Sequence, residues 1–353
     1  MRYLGLDVHA KATVWCLLAQ DAEVLGRGKV SSTEPELTAL VDGLRESDEL
    51  LAGQEIGTQS YFVHDVLTAA GVKLLSFNAQ QLRMLASSRK KTDKRDAYWI
   101  AKALQTEMMP HPVYIPSGQV RQLRQLLSQR ETLKRDQKRW LVRARSSVRA
   151  AGHQSPPGAR TPGALRVALL AKADGLDQQL DEALARCDRM HDALSHELVQ
   201  VEATIRREAH DIEAIKRLQT IPAVGEWTAL TIHAWVGDVS RFPNARRLAA
   251  YAGLVPSVWR SGESERCGGI TKLGSPALRS ILTQAGHVLL WRCSSAEAAP
   301  LKALATRVLT ARTRRKIAVV AAARHILRIA YYVLRDGTSY DPARLAAVQP
   351  AVE

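Results

Sequence analysis

The chain is poor in cysteine, poor in aromatic residues and short of acids for its bases, and each shortage narrows its identity. Its four cysteines, Cys16, Cys187, Cys267 and Cys293, are scattered with no Cys-x-x-Cys pair. That spacing excludes a zinc ribbon and a disulfide framework, and points to a reducing cytoplasm. No apolar run approaches the length needed to cross a bilayer, and Met1-Arg2 leads straight into a short apolar strand without the features of a signal peptide. A soluble, cytoplasmic protein with no membrane partner is the expectation. Against 35 Asp and Glu stand 50 Lys and Arg, a formal net charge of +15, so the partner should be a polyanion. The excess is uneven: residues 1–60 hold five bases and ten acids. Nucleic acid should therefore lie along the later segments.

A length of 353 residues predicts two or three units. In the first, apolar stretches at 3–8, 12–19 and 24–30, with Asp21-Ala22-Glu23 as a turn, predict a three-stranded antiparallel meander. Residues 33–44 carry Leu37, Leu40, Val41 and Leu44 at helical spacing, with Thr33 and Glu36 as a capping box. A strand at 50–56, a helix at 61–70, a strand at 72–77 and a helix from Thr92 complete an order of β-β-β-α-β-α-β-α. This is the order of an α/β, ribonuclease-H-like fold, a mixed sheet with helices on its faces.

Four acids stand at telling places in that order. Asp7 closes the first strand, Glu55 closes the fourth, and Asp93 and Asp96 share one face of the last helix. Taken singly, each reads as a cap or a turn residue. Together they form a set that makes sense around a hard divalent cation, magnesium or manganese, since crowded carboxylates otherwise repel one another.

From Gln119 a long helix is expected, with Leu123, Leu126, Leu127, Leu133, Trp140 and Leu141 on one face. Its other faces carry ten Lys and Arg between Arg121 and Arg149, for which nucleic-acid contact is the better reading. Residues 154–163, with three prolines and two glycines, read as an exposed loop. Leu180, Leu184, Cys187, His191, Leu194, Leu198, Val201 and Ile205 then repeat at spacings of four and three, the seam of a coiled-coil hairpin. The expected units are 1–115, a basic hairpin at 116–214, a mostly helical unit at 215–340 and a tail at 341–353. In the third, Ile221-Pro222-Ala223-Val224-Gly225 resembles a helix-hairpin-helix turn, and 255–269 reads as a polar, glycine-punctuated loop suited to chemistry. Lys90, Lys91, Arg135, Lys138, Arg139, Arg266, Lys272, Arg314, Arg315 and Lys316 are the candidate nucleic-acid contacts.

Taken in order, Gly5-Leu6-Asp7-Val8-His9, Glu55, Lys91-Thr92-Asp93-Lys94-Arg95-Asp96-Ala97, Ile221-Pro222-Ala223-Val224-Gly225, Arg241-Phe242-Pro243-Asn244-Ala245-Arg246 and Tyr251-Ala252-Gly253-Leu254-Val255-Pro256 resemble the insertion sequence 110 (IS 110) family of transposases. The resemblance runs from about residue 3 to residue 340. It implies a RuvC-like domain holding magnesium through Asp7, Glu55, Asp93 and Asp96, and a C-terminal domain whose nucleophile matches Ser261. Ser257, Ser264 and Ser275 are neighbours of lower rank. It also implies double-stranded donor and target DNA, a structured noncoding guide RNA, and a homo-oligomer, dimer or tetramer, in which one subunit's serine meets another's acids. Two alternatives remain open: a RuvC-like junction resolvase without a covalent step, and a nucleic-acid-binding regulator in which the acids only cap and solvate.

Overall fold

The computed structural model describes residues 1–45, 49–79, 81–82, 93–172, 176–261, 264–312 and 314–343, with the main chain alone at 93–94, 260–261, 264–267 and 312. Lys90, Lys91 and Thr92 lie outside the described residues, as does the Arg266 side chain. The chain divides into two compact units, Met1–Ile115 and Pro116–Glu353.

The first unit is built on strands β1 (Arg2–Val8), β2 (Ala12–Leu18), β3 (Val24–Ser31), β4 (Leu50–Glu55) and β5 (Lys73–Phe77), in the spatial order β3-β2-β1-β4-β5. β1 pairs antiparallel with β2 and parallel with β4, and β4 parallel with β5. Side chains alternate across β1. Leu4 and Leu6 enter a core with Leu37 and Val41 of α1 (Glu34–Leu44) and Val63, Val66 and Leu67 of α2 (Ser60–Ala69). Tyr3, on the other face, joins Val14, Cys16 and Leu18 against Ala97 and Ala101 of α3 (Asp93–Gln105). The sheet is thus covered on both faces, as an ordering of strands and helices of this type requires. The capping box expected at α1 does not form: Thr33 is the N-cap but its hydroxyl makes no cap hydrogen bond, and a proline in the first turn has already removed one orphan donor.

Among its described residues, the second unit is helical except for one hairpin. α4 (Gly118–Ala150) and α6 (Gln178–Ala209) pack along each other in opposite directions. Arg130 Nε donates to Glu202 Oε1 at 2.7 Å and Gln137 Nε2 to Ser195 Oγ at 2.8 Å, so a step of seven residues up one helix matches a step of seven down the other. Of the expected seam, Leu180, Leu184, Cys187 and Ile205 are buried, and His191, Leu194, Leu198 and Val201 are partly covered.

The stretch 154–163 is not simply an exposed loop. Thr161 accepts from the Ala164 amide and Pro162 opens a further helix, α5 (Pro162–Leu170), whose Leu165 and Leu169 pack with Ala159, Ala144 and Leu184. Proline here starts a helix because the first turn needs no amide donor. Arg166 then holds Asp181 of α6 with two parallel bonds of 2.6 and 2.7 Å.

After α7 (Glu213–Gln219) the Ile221–Gly225 turn leads into α8 (Glu226–Val236), and α9 (Ala245–Tyr251) follows. The last helices are α10 (Pro276–Trp291), α11 (Ala299–Arg312) and α12 (Arg315–Asp336). Contrary to the expectation from apolar run length, α12 is long and apolar enough to span a bilayer. Most of its apolar stretch is nevertheless buried inside this unit, with Ala318, Ala322, Ala323, Ile326, Leu327 and Ala330 wholly enclosed. It is the central helix of a core that also takes in Leu123, Leu127 and Ile205.

Candidate functional site

Strand alternation and one close contact fix where the acids stand. A β-carbon on Gly5 would overlap the carbonyl oxygen of Ala97, and one on Gly53 would fall 2.8 Å from Leu104 Cδ1, so both glycines face α3. They are register partners in the parallel pair β1 and β4. Two residues further along, Asp7 and Glu55 therefore occupy adjacent places on that same face. The helix runs opposite to the two strands: Gln105 Nε2 donates to Gln20 O, beside the start of β1, which leaves the first turn of α3 at the strands' carboxyl ends. Ala97, Ile100, Ala101 and Leu104 form its buried stripe. Positions 93 and 96 lie four residues before Ala97 and Ile100, and so continue that stripe towards Asp7 and Glu55.

All four acidic positions consequently share one end and one face of the sheet. Asp7, Glu55 and Asp96 are each partly buried. The Asp93 side chain is outside the described residues. Among those that are described, no three His, Cys, Asp or Glu side chains close into a metal-binding group. Asp7 instead meets His9, with Oδ2 3.1 Å from Nε2. His9 lies outside the expected site residues, and its signal is the i, i+2 spacing from Asp7 at the strand end. Next to Glu55 the turn is pinned by Ser60, whose hydroxyl donates to Gly57 O at 2.9 Å, and Gln54 is buried with its amide on Ser60 O and Ser76 Oγ. A donor set made of carboxylate oxygens suits a hard divalent cation.

Ser261 belongs to the second unit, on a strand where a loop is expected. Residues 255–269 are not a loop: β6 (Pro256–Ser261) pairs antiparallel with β7 (Ser264–Ile270), and Ser261 and Ser264 are partners at the turn end. The base of this hairpin is anchored tightly. The Thr271 amide donates to Val255 O, Arg279 Nη1 to Ala252 O, and Gly274 approaches so close to Tyr251 that a β-carbon would overlap its carbonyl oxygen. Gly253, with φ of 67°, ends α9 as its amide and that of Leu254 turn back to Ala250 O and Ala249 O. The competing serines have structural work: Ser257 donates to Gly269 O, and Ser275 caps α10 by accepting from the Leu278 amide.

The basic candidates divide in the same way. Arg135, Lys138, Arg139, Lys272, Arg314, Arg315 and Lys316 are exposed. Three other cations of α4 are not free for a ligand. Arg124 caps the end of α8 through Ala234 O and Trp235 O, Arg145 donates to Ala159 O, and buried Arg130 holds Glu202 while lying 3.7 Å over the Trp227 ring. Carbonyls at a helix end attract guanidinium groups for the reason that they attract any cation.

A ribonuclease-H-like sheet with acids gathered at the carboxyl ends of β1 and β4, followed by a helical unit, defines the class of DEDD transposases. Family models agree in order along the chain: an IS110-type DEDD transposase domain over residues 4–151, and the transposase IS116/IS110/IS902 family over residues 215–301. The chain belongs to the IS110/IS116/IS902 transposases. It is 30% identical over 210 residues to the transposase for insertion sequence element IS1111A of Coxiella burnetii, covering 57% of this chain and 55% of that one. It is 28% identical over 175 residues to the transposase for insertion sequence element IS1328 of Yersinia enterocolitica, covering 50% and 52%. A 44.8 kDa protein of insertion element IS116 from Streptomyces clavuligerus is 24% identical over 309 residues, covering 74% and 77%. The chain thus spans about half the length of the first two relatives. A DEDD-type domain suggests a divalent metal ion.

Proposed function

We propose that this protein is an RNA-guided DNA recombinase that cuts and rejoins DNA through Ser261, using a magnesium site formed by Asp7, Glu55, Asp93 and Asp96. The observation that carries the reading is the convergence of these four positions on one face and one end of the sheet. Magnesium, or manganese in its place, would supply charge neutralisation at the attacked phosphate. The chain's own groups do the rest. Ser261 Oγ attacks the phosphorus of a phosphodiester and loses its proton to a carboxylate or water, an Oγ–P bond forms, and the P–O bond to the other strand end breaks to leave a hydroxyl. The hydroxyl of an exchanged end reverses the step. The phosphoester bond is conserved in the link, so rejoining needs no nucleotide hydrolysis.

The surplus of positive charge supports binding of donor and target duplexes and of a structured guide RNA. A homo-oligomer, dimer or tetramer, acting on the chromosome in the cytoplasm completes the proposal, with the pairing of α4 and α6 read as a coiled-coil hairpin. The deciding experiment is Ser261→Ala. DNA and RNA binding should persist, while covalent protein-DNA adducts trapped under denaturing conditions disappear. Adducts at the wild-type yield would overturn the assignment of the nucleophile.

A further inference from the structure

Three cations that no basic run in the sequence singled out meet at one cavity of the helical unit. Arg246 and Arg247 lie in the first turn of α9, and Arg324 comes from the middle of α12, which packs against it. With Asn244, Pro256 and Val258 they line a cavity of about 730 Å³, and no acidic side chain is among the described residues that line it. Among the described residues none of the three guanidinium groups has a hydrogen-bonded or ionic partner. The contrast with the rest of the unit is informative. Arg124, Arg130, Arg145, Arg166, Arg206 and Arg241 all hold a carbonyl or a carboxylate.

All three arginines are exposed; partial desolvation, and after it the charges of Arg246 and Arg328, lower the pKa of the Arg324 guanidinium from its ordinary value. Like charges thus face one cavity with no acid among its described lining residues, an arrangement that an entering anion relieves. Guanidinium forks match the oxygen pairs of a phosphate. The cavity also has a position relative to Ser261. Pro256 and Val258 belong to the strand that ends in Ser261, and the three residues from Val258 to Ser261 span about 10 Å. Measured along the axis of a duplex, that distance is the rise of about three nucleotides.

We propose that the Arg246, Arg247 and Arg324 cavity binds a backbone phosphate of the DNA, gripping the duplex a few nucleotides from the hairpin tip without reading its sequence. The choice of DNA as the donor of that phosphate rests on the recombinase reading; the anion site itself does not. Contacts of this kind fix position and register and carry no base preference.

The test compares the full chain with its Arg246→Gln/Arg324→Gln variant in binding to duplexes of unrelated sequence between 50 and 200 mM salt. The expected result is a salt slope shallower by about 2 and affinity lower by about tenfold, equally for every sequence. Inorganic phosphate should raise the melting temperature of the wild type and not of the variant, whose own melting temperature is not lowered because repulsion has been relieved. An unchanged slope in the folded variant, a loss confined to particular sequences, or a loss for RNA of the same length and none for DNA would each overturn the proposal. Should the double variant not fold, the single variant Arg247→Gln is read in the same way, with a slope change of about 1. Binding is measured without strand cleavage. A protein that shows these binding changes yet never forms an adduct would sink the recombinase reading and leave the phosphate site standing.

Discussion

Gly5 of β1 and Ala97 of α3 touch backbone to backbone: no side chain fits between them, and a β-carbon at Gly5 would also sit 2.6 Å from the Ala101 amide nitrogen. This contact sets the height of α3 over the sheet, and with it the reach of Asp96 towards Asp7. Replacing Gly5 with Ala or Val should push the helix away, at about 1–3 kcal/mol in a urea melt, with cation-dependent cleavage lost together with stability. Gly53→Ala should cost less, because the obstacle there is the flexible end of Leu104. Equal costs at the two positions would contradict the backbone origin of the constraint.

Removing one charge from the proposed metal site should separate chemistry from folding. Asp7→Asn and Asp96→Asn are expected to lower magnesium-dependent strand cleavage by about a hundredfold or more while leaving the melting temperature in chelator close to that of the wild type. The rise in melting temperature on adding magnesium or manganese should shrink in both variants. Wild-type cleavage in excess chelator would remove the metal from the proposal.

Arg130 is buried, donates to Glu202 and lies against Trp227, so it ties α4 to α6 and to α8 at once. Arg130→Ala should destabilise the helical unit by about 1–3 kcal/mol, because the partly buried Glu202 carboxylate keeps only the longer contact to Arg206 at 3.9 Å and the packing on Trp227 is lost. Adding Glu202→Gln should recover part of that loss in a double-mutant cycle, which a purely steric role for Arg130 would not predict.

His325 gives the helical unit an acid-sensitive centre. Burial, with a smaller push from Arg328, brings its pKa down to about 4 from the ordinary 6.5. The unfolded chain therefore takes up this proton at higher pH than the folded one. The stability is complete above about pH 6.5 and is lost as pH falls towards 4, by on the order of 3 kcal/mol. Melts of the full chain between pH 7 and 4.5 should show this slope, and His325→Gln should flatten it. An unaltered slope in that variant would assign the acid sensitivity to other groups, such as His233, which burial also pushes down.

The sheet order and the placing of its acids were legible because each strand is a short apolar run with its own punctuation, and an acid at the end of such a run is conspicuous. The 256–270 hairpin was not. Serines interrupt the alternation in β6 and a serine with two glycines does so in β7, and the one available signal was the spacing of two residues between Ser261 and Ser264. α5 was hidden for another reason: Pro162 and Gly163 read as the end of a loop until Thr161 is recognised as a cap. Nor does spacing along α4 tell an exposed cation from Arg124, whose acceptors lie 110 and 111 residues away.

The paired helices α4 and α6 have one more consequence. At 33 and 32 residues they extend about 50 Å, a length set by hydrogen bonds within each helix and therefore nearly inextensible. One end is rooted in the helical core through Leu123 and Ile205, and the other closes on α5. The pair is a ruler: whatever is held at its two ends is kept apart by a distance comparable to fifteen base pairs of duplex, roughly one and a half turns.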